Sequence, residues 1–321
     1  MVYVTRMIPQ AGIEVLRDAG LDVEINPHDR PLTREELLRV VPQAEAVLCL
    51  LTDRIDSDVF EAAPTIKGFA NYAVGYDNLD VSEATRRGIP LSNTPGVLTD
   101  ATADLAWALL FAVARRVVES DGVMRRGEWA GWGPLQFIGG DITGRTLGII
   151  GAGRIGTAMA LKSRGFGMTV LYTGNRRNDV LEDTLGAQKV PLEELLSASD
   201  FVSVHVPLTE STRHVIDRSA LERMKRTAYI INTARGPVID ETALVEALRE
   251  GAIAGAGLDV YENEPIPAPG LVDLPNAVVT PHVGSATHET RDAMATMAAR
   301  NILAMIAGEK PETCLNPELF D

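Results

Sequence analysis

Gly151-Ala152-Gly153-Arg154-Ile155-Gly156 follows the apolar run Thr146 to Ile150 and opens a helical pattern, and this junction constrains the fold more than any other segment. A strand that turns on glycine into a helix gathers backbone N–H groups and the positive end of the helix at one point, which suits a pyrophosphate. The first glycine makes the turn, the second lets backbone approach the phosphates, and the third allows close helix-on-strand packing. A GxGxxG alone is a weak signal because glycine is common. Its place between strand and helix makes it a dinucleotide site in a doubly wound α/β domain.

The flanking pattern agrees. Strand-like runs recur at Thr146 to Ile150, Thr169 to Tyr172, Phe201 to His205, Ala228 to Asn232, Gly257 to Val260 and Ala277 to Thr280, six strands for one such domain. A second alternating series fills the first hundred residues, with strands at Val2 to Thr5, Val23 to Ile25, Ala46 to Leu51 and Gly68 to Asn71, and a helix at Thr33 to Val40. Alternation of this kind means parallel sheets covered by helices. Thr94-Pro95-Gly96 reads as a hinge before a long helix at Ala101 to Val118, with Thr99 or Asp100 as its N-cap. A last helix, Glu289 to Ile306, is closed by Gly308 and Pro311 and is expected to pack back on the first domain. The expected division is residues 1–97 with 286–321 as one discontinuous domain, and 98–285 as the dinucleotide-binding domain. A chain of 321 residues suits two domains and a cleft.

Composition narrows the partners. A net charge of −14 opposes nucleic acid and anionic membrane surfaces. The most apolar helix is interrupted by Asp104 and by Arg115-Arg116, so no membrane span is expected. Cys49 and Cys314 have no paired spacing, so neither a disulfide framework nor a metal site is suggested. The amino terminus reads directly as a strand rather than a signal peptide, which makes the cytoplasm the expected location.

Cofactor preference turns on the end of the second strand of the nucleotide domain. NAD sites usually place an acid there for the adenosine ribose. Here the strand runs instead into Thr173-Gly174-Asn175-Arg176-Arg177. Guanidinium groups pair bidentately with phosphate, so NADP(H) is the preferred reading and NAD(H) the alternative, in which Arg176 and Arg177 are only a solvated pair.

Three fragments near the ends of late strands carry candidate chemistry: Asn232-Thr233-Ala234-Arg235-Gly236, Asp259-Val260-Tyr261-Glu262-Asn263-Glu264-Pro265 and Thr280-Pro281-His282-Val283-Gly284-Ser285. Ligands bind beyond the carboxyl ends of such strands. Reducing a 2-keto acid needs a cation for the carboxylate and carbonyl oxygen, and a proton donor. Arg235 and His282 meet those needs, and a carboxylate on the far nitrogen of His282 would fix its tautomer. Glu264 and Glu262 both qualify by spacing. His205, His214 and His288 read as structural or supporting, and His28 as surface.

These fragments, with Leu50-Leu51-Thr52-Asp53-Arg54-Ile55 and Asn71-Tyr72-Ala73-Val74-Gly75-Tyr76-Asp77-Asn78, resemble the D-isomer-specific 2-hydroxyacid dehydrogenase family, and within it the glyoxylate and hydroxypyruvate reductases. The resemblance spans the whole chain. It implies a Rossmann coenzyme domain inserted in a discontinuous flavodoxin-like substrate domain, and a catalytic trio of Arg235, Glu264 and His282. It further implies that Leu51, Val74, Gly75 and Trp132 join Arg235 and His282 around the substrate, with Val74 and Gly75 offering backbone N–H groups to the carboxylate. The cofactor would meet Val74, Thr102, Gly151, Gly153, Arg154, Ile155, Gly156, Asn175, Arg176, Arg177, Val206, Pro207, Thr212, Thr233, Ala234, Asp259 and Gly284. A homodimer through the coenzyme domain, with Trp132 supplied by the partner subunit, is implied by resemblance alone.

The expected reaction is NADPH-dependent reduction of glyoxylate or hydroxypyruvate. Glu rather than Gln beside His282 argues against a formate dehydrogenase, whose substrate needs no proton donor. A D-lactate, phosphonate or short phosphoglycerate enzyme remains open, the last because Arg54 could meet a phosphate. From another class, so does a nucleotide-sensing binding protein like the corepressors on this fold.

Overall fold

The computed structural model describes residues 1–321, which form two compact units: Met1–Leu98 with Ser285–Asp321, and Thr99–Gly284. The first unit holds five parallel strands, β1 (Val2–Val4), β2 (Val23–Ile25), β3 (Ala46–Cys49), β4 (Phe69–Asn71) and β5 (Leu91–Ser92). Their order is β2-β1-β3-β4-β5, the flavodoxin-like doubly wound arrangement. Strands β1, β3 and β4 are buried throughout, so both faces must be covered. The helix His288–Ala307 supplies part of that cover, packing on the helix Gln10–Asp18 and on β3 and β4 through Ala295, Ala298, Ile302 and Met305. Thr287 caps its start by accepting from the Thr290 N–H at 3.2 Å, and Gly308 ends it in the left-handed conformation.

The second unit holds seven parallel strands, β6 (Thr146–Ile150), β7 (Thr169–Thr173), β8 (Gln188–Lys189), β9 (Phe201–Val204), β10 (Tyr229–Asn232), β11 (Gly255–Leu258) and β12 (Ala277–Val279). They are ordered β12-β11-β10-β9-β6-β7-β8. The chain leaves β6 toward β7 on one side and resumes at β9 on the other, which opens a crevice beyond the end of β6. Alternate residues feed two cores. Leu147, Ile149 and Ile231 pack with Ala103, Ala106 and Leu110 of the helix Thr99–Ala114, while Ile150, Val202, Ile230 and Leu258 pack with Leu195, Leu221 and Leu244.

The expected helix Ala101 to Val118 is in fact two. It begins at Thr99, ends at Ala114, and a second helix, Val117–Arg125, follows Arg116 in the left-handed conformation. Thr99 and Asp100 are therefore both helical rather than caps. Two short strands, β5 and β8, lie where none was expected, and β11 starts at Gly255 rather than Gly257.

Candidate active site

The glycine-rich turn closes on the switch point of the second sheet. Gly151 has a φ of 95°, and a Cβ there would lie 2.8 Å from the His205 carbonyl carbon and from Val206 Cγ1, so β6 and β9 can approach only with glycine. At Gly156 a Cβ would lie 2.1 Å from the Gly151 carbonyl oxygen, whereas at Gly153 it would meet nothing within 4 Å. The middle glycine thus faces open space at the N-terminus of the helix Arg154–Lys162, with no side chain capping it. The turn is braced by Asn178, whose Nδ2 donates to the Ala152 carbonyl at 3.0 Å and to Thr157 Oγ1 at 2.7 Å. Nearby, Thr212 Oγ1 donates to the Pro207 carbonyl at 2.6 Å and fixes the loop after Val206.

At the end of β7 the two arginines differ. Arg177 pairs with Glu182, which also accepts from the Tyr172 hydroxyl, while exposed Arg176 makes no ion pair. Asn175 is exposed, and its carbonyl accepts from Lys189 Nζ at 3.5 Å. Lys189, on β8 and in register with Tyr172, thereby adds a third cation that sequence reading missed, because it lies far along the chain.

The candidate acid, its partner and the candidate cation all belong to this unit. His282 Nδ1 lies 2.8 Å from Glu264 Oε2. Burial pushes the Glu264 carboxyl up, but the His282 hydrogen bond and charge, helped by the Tyr261 N–H, outweigh it and hold the pKa below the ordinary glutamate value. An ionised carboxylate only accepts, so the proton between them sits on Nδ1 and leaves Nε2 for exchange. Glu262, the rival by spacing, pairs with His214 instead.

Asp259 organises the segment that carries His282. Its Oδ1 accepts from the Thr280 hydroxyl at 2.6 Å and the Val283 N–H at 2.8 Å, and its Oδ2 from the Gly284 N–H at 2.7 Å. Burial raises its pKa against those three bonds. Both oxygens are engaged, so a carboxamide reaching Asp259 would have to share one. Thr102 packs beside the same turn, 3.4 Å from where a Gly284 Cβ would sit.

Arg235 ends a loop clamped by buried Asn232, whose Nδ2 donates to the Arg235 carbonyl at 2.9 Å and whose Oδ1 accepts from the Ala234 N–H at 3.0 Å. Gly236 lies against the Tyr261–Glu262 backbone, where a Cβ would come within 1.8 Å, so the Arg235 loop and the Glu264 loop are in direct contact. Buried Glu241 holds the second loop by accepting from the Glu262 and Ala268 N–H groups at 2.7 Å each. Thr233 Oγ1 is buried without a partner, an arrangement that costs about 1–3 kcal/mol unless a ligand answers it. Asn232 and Glu241 were invisible as supports in the sequence, where they read as a strand end and a helix start. His205, bonded to Ser203 Oγ at 2.8 Å, is depressed by burial to about 3 and stays neutral.

The first unit carries the other expected contacts. Val74 and Gly75 have N–H groups with no partner in the protein, while their carbonyls accept from Asn93 Nδ2 at 2.7 Å and Asn71 Nδ2 at 2.9 Å. Leu51 is half-buried beside Leu50, whose N–H donates to Asp53 Oδ2 at 2.8 Å. Arg54 pairs with Asp56. Trp132, in the second unit, is 83% exposed, in a stretch that also exposes Trp129, Leu135 and Ile138.

Replacing Glu264 with Gln keeps the hydrogen bond but removes the charge that favours a protonated partner. Turnover of glyoxylate at neutral pH is then expected to fall by about tenfold in kcat/KM, on the scale of one charge-assisted hydrogen bond. The depressed Glu264 also contributes stability that is full above the ordinary glutamate pKa and fades as pH falls through its lower folded value. Thermal unfolding below that range should therefore separate the two proteins less than at neutral pH.

Residues 107–284 match the family described as D-isomer specific 2-hydroxyacid dehydrogenase, NAD binding domain. The chain is 52% identical over 320 residues to the glyoxylate reductase of Korarchaeum cryptofilum, covering 99% of this chain and 96% of that one. Among solved structures, a glyoxylate reductase from Paecilomyes thermophila superposes with a TM-score of 0.88 at 35% identity, over 99% and 98% of the two chains. The NADPH-dependent glyoxylate/hydroxypyruvate reductase of Sinorhizobium meliloti, solved with NADP and malonate, gives 0.85 at 33% identity over 98% and 97%.

Proposed function

Since this chain belongs to the D-isomer specific 2-hydroxyacid dehydrogenase family of NAD(P)-dependent oxidoreductases, we propose that it reduces glyoxylate or hydroxypyruvate with NADPH. The observation that carries the reading is the 2.8 Å His282–Glu264 pair on loops packed against that of Arg235, in the unit that also holds the glycine-rich turn. The relatives named as glyoxylate reductases support the substrate class.

The residues present fit a dinucleotide: Gly153 opens on free space at a helix start, and Thr233 Oγ1 lacks a partner. Gly151, Arg154, Ile155 and Gly156 would hold the pyrophosphate, with Val206, Pro207 and Thr212 on the neighbouring loop. Thr102, Thr233, Ala234, Asp259 and Gly284 would surround the nicotinamide end. When bound, the cofactor supplies the hydride that adds to C2 of the keto acid. Arg235 neutralises the substrate carboxylate and polarises the carbonyl, and Val74 and Gly75 offer two further N–H donors. His282 delivers a proton from Nε2 to the oxygen that becomes the hydroxyl, while Glu264 holds the ring by Nδ1 and stabilises its charged form.

NADPH over NADH is supported by the lack of an acid in Gly174-Asn175-Arg176-Arg177 at the end of β7 and by Arg176 and Lys189 around that loop, Arg177 being paired with Glu182. Arg176→Ala is expected to lower kcat/KM for NADPH by about tenfold to a hundredfold, the loss of a charged hydrogen bond, and to leave NADH kinetics nearly unchanged. An unmodified protein that prefers NADH would sink the assignment. An NADPH-linked enzyme runs toward reduction, so His282 acts as the acid.

The exposed Trp129, Trp132, Leu135 and Ile138 support a homodimer through the coenzyme unit, since a contiguous apolar stretch of this kind marks an interface. A monomeric mass in solution would remove that reading. A cytoplasmic location fits two cysteines that form no disulfide.

A further inference from the structure

The two N–H groups proposed above to receive the substrate carboxylate belong to peptide planes that other residues hold from behind. A peptide unit is planar and trans, so fixing its carbonyl fixes the opposite direction of its N–H. The Val74 carbonyl shares a plane with the Gly75 N–H, and it accepts from Asn93 Nδ2 at 2.7 Å. The Ala73 carbonyl shares a plane with the Val74 N–H, and it accepts from the Thr94 N–H at 2.9 Å. Thr94 and Asn93 are both buried.

The same logic extends one plane further. The Thr94 N–H belongs to the peptide whose carbonyl is that of Asn93, and this oxygen accepts from Thr313 Oγ1 at 2.6 Å and from Asn301 Nδ2 at 3.4 Å. Asn301, buried in the helix His288–Ala307, also donates to Thr313 Oγ1 at 2.7 Å. The result is a relay of three rigid planes from the last helix and the segment after it to the Val74 and Gly75 amides, all within the first unit.

We propose that Asn93 and Thr313 are positioning residues for the substrate carboxylate, setting the direction of the Val74 and Gly75 N–H groups without touching the substrate themselves. The proposal rests on the reading that those amides bind the carboxylate.

Thr313→Val keeps shape and removes only the hydroxyl, Thr313→Ser keeps the hydroxyl, and Asn93→Ala removes the amide. Each full-length protein is assayed for glyoxylate reduction with NADPH and, separately, for oxalate binding to its NADPH complex by calorimetry. Thr313→Val and Asn93→Ala are expected to raise KM for glyoxylate and weaken oxalate by about tenfold, on the scale of one lost hydrogen bond. For both, kcat should stay within about threefold and NADPH affinity should be native, as for an interaction that serves binding alone. Thr313→Ser should behave like the unmodified protein. If Asn93→Ala does not fold, the Thr313 pair carries the test. Native KM and native oxalate affinity in folded Thr313→Val would overturn the proposal, as would an unmodified protein that binds no oxalate. An unmodified protein that binds oxalate but never turns over a keto acid would remove the function while leaving the positioning role intact, provided Thr313→Val still weakens oxalate.

Discussion

The His282→Ala protein is expected to fold, to bind NADPH with native affinity, and to lose kcat for glyoxylate by about 10² to 10⁴-fold, the usual worth of a positioned general acid. The expectation follows from the geometry of one pair. Glu264 is ionised and 2.8 Å from Nδ1, which leaves Nε2 as the only ring position able to give up a proton to substrate. Asp259 holds the segment on both sides of His282, through the Thr280 hydroxyl before it and the Val283 and Gly284 N–H groups after it, so removing the ring should leave the loop in place. Cofactor affinity measured on the same preparation separates lost chemistry from lost structure. Near-native turnover in a folded variant would refute the assigned acid.

Arg235→Met is expected to cost about 10³-fold in kcat/KM, because removing a donor from a developing oxyanion alone is worth about 10² to 10³. Loss of the carboxylate contact adds to it. Arg235→Lys restores the charge but not the planar fork, so it should recover only part of that loss, with KM still raised. The loop itself is held by Asn232 and by the contact of Gly236 with Tyr261, and the guanidinium adds a 2.9 Å bond from Nη1 to the Ala234 carbonyl. Thermal unfolding of both variants separates lost substrate recognition from loss of that loop bond. If Arg235→Lys matched the unmodified enzyme in KM and kcat, charge alone would suffice and bidentate recognition would be wrong.

The parallel strands were legible because buried strands in a covered sheet read as short apolar runs, as at Ala46–Cys49 and Phe201–Val204. The two-residue strands β5 and β8 were not, since Leu91–Ser92 and Gln188–Lys189 carry no periodic signal and owe their pairing to neighbours that the rest of the fold supplies. Gly255-Ala256 is similarly silent at the start of β11. The break at Arg116 was hidden because no glycine or proline marks it; a left-handed arginine is a conformation that tertiary contacts impose.

At the site, local motifs exposed the groups with charge. Glu264 could not be told from Glu262 by spacing alone; the structure separates them by placing His282 on one and His214 on the other. The supports were the least legible. Glu241, Asn93 and Thr313 act through backbone groups of loops brought near by folding, up to 220 positions away for Thr313 and Asn93, while Asn232 clamps its own loop two and three residues on. A single polar residue at a strand end or in a tail announces no such partner.

Reduction of a keto acid by this chain is tested most directly by steady-state turnover with glyoxylate, hydroxypyruvate, pyruvate and 3-phosphohydroxypyruvate, each with NADPH and with NADH. Oxidation of NADPH matched mole for mole by the 2-hydroxy acid, fastest with glyoxylate or hydroxypyruvate and slower with NADH, is the predicted result. Tight binding of NADPH with no turnover of any of the four acids would contradict it and mark the chain as a nucleotide-sensing binding protein.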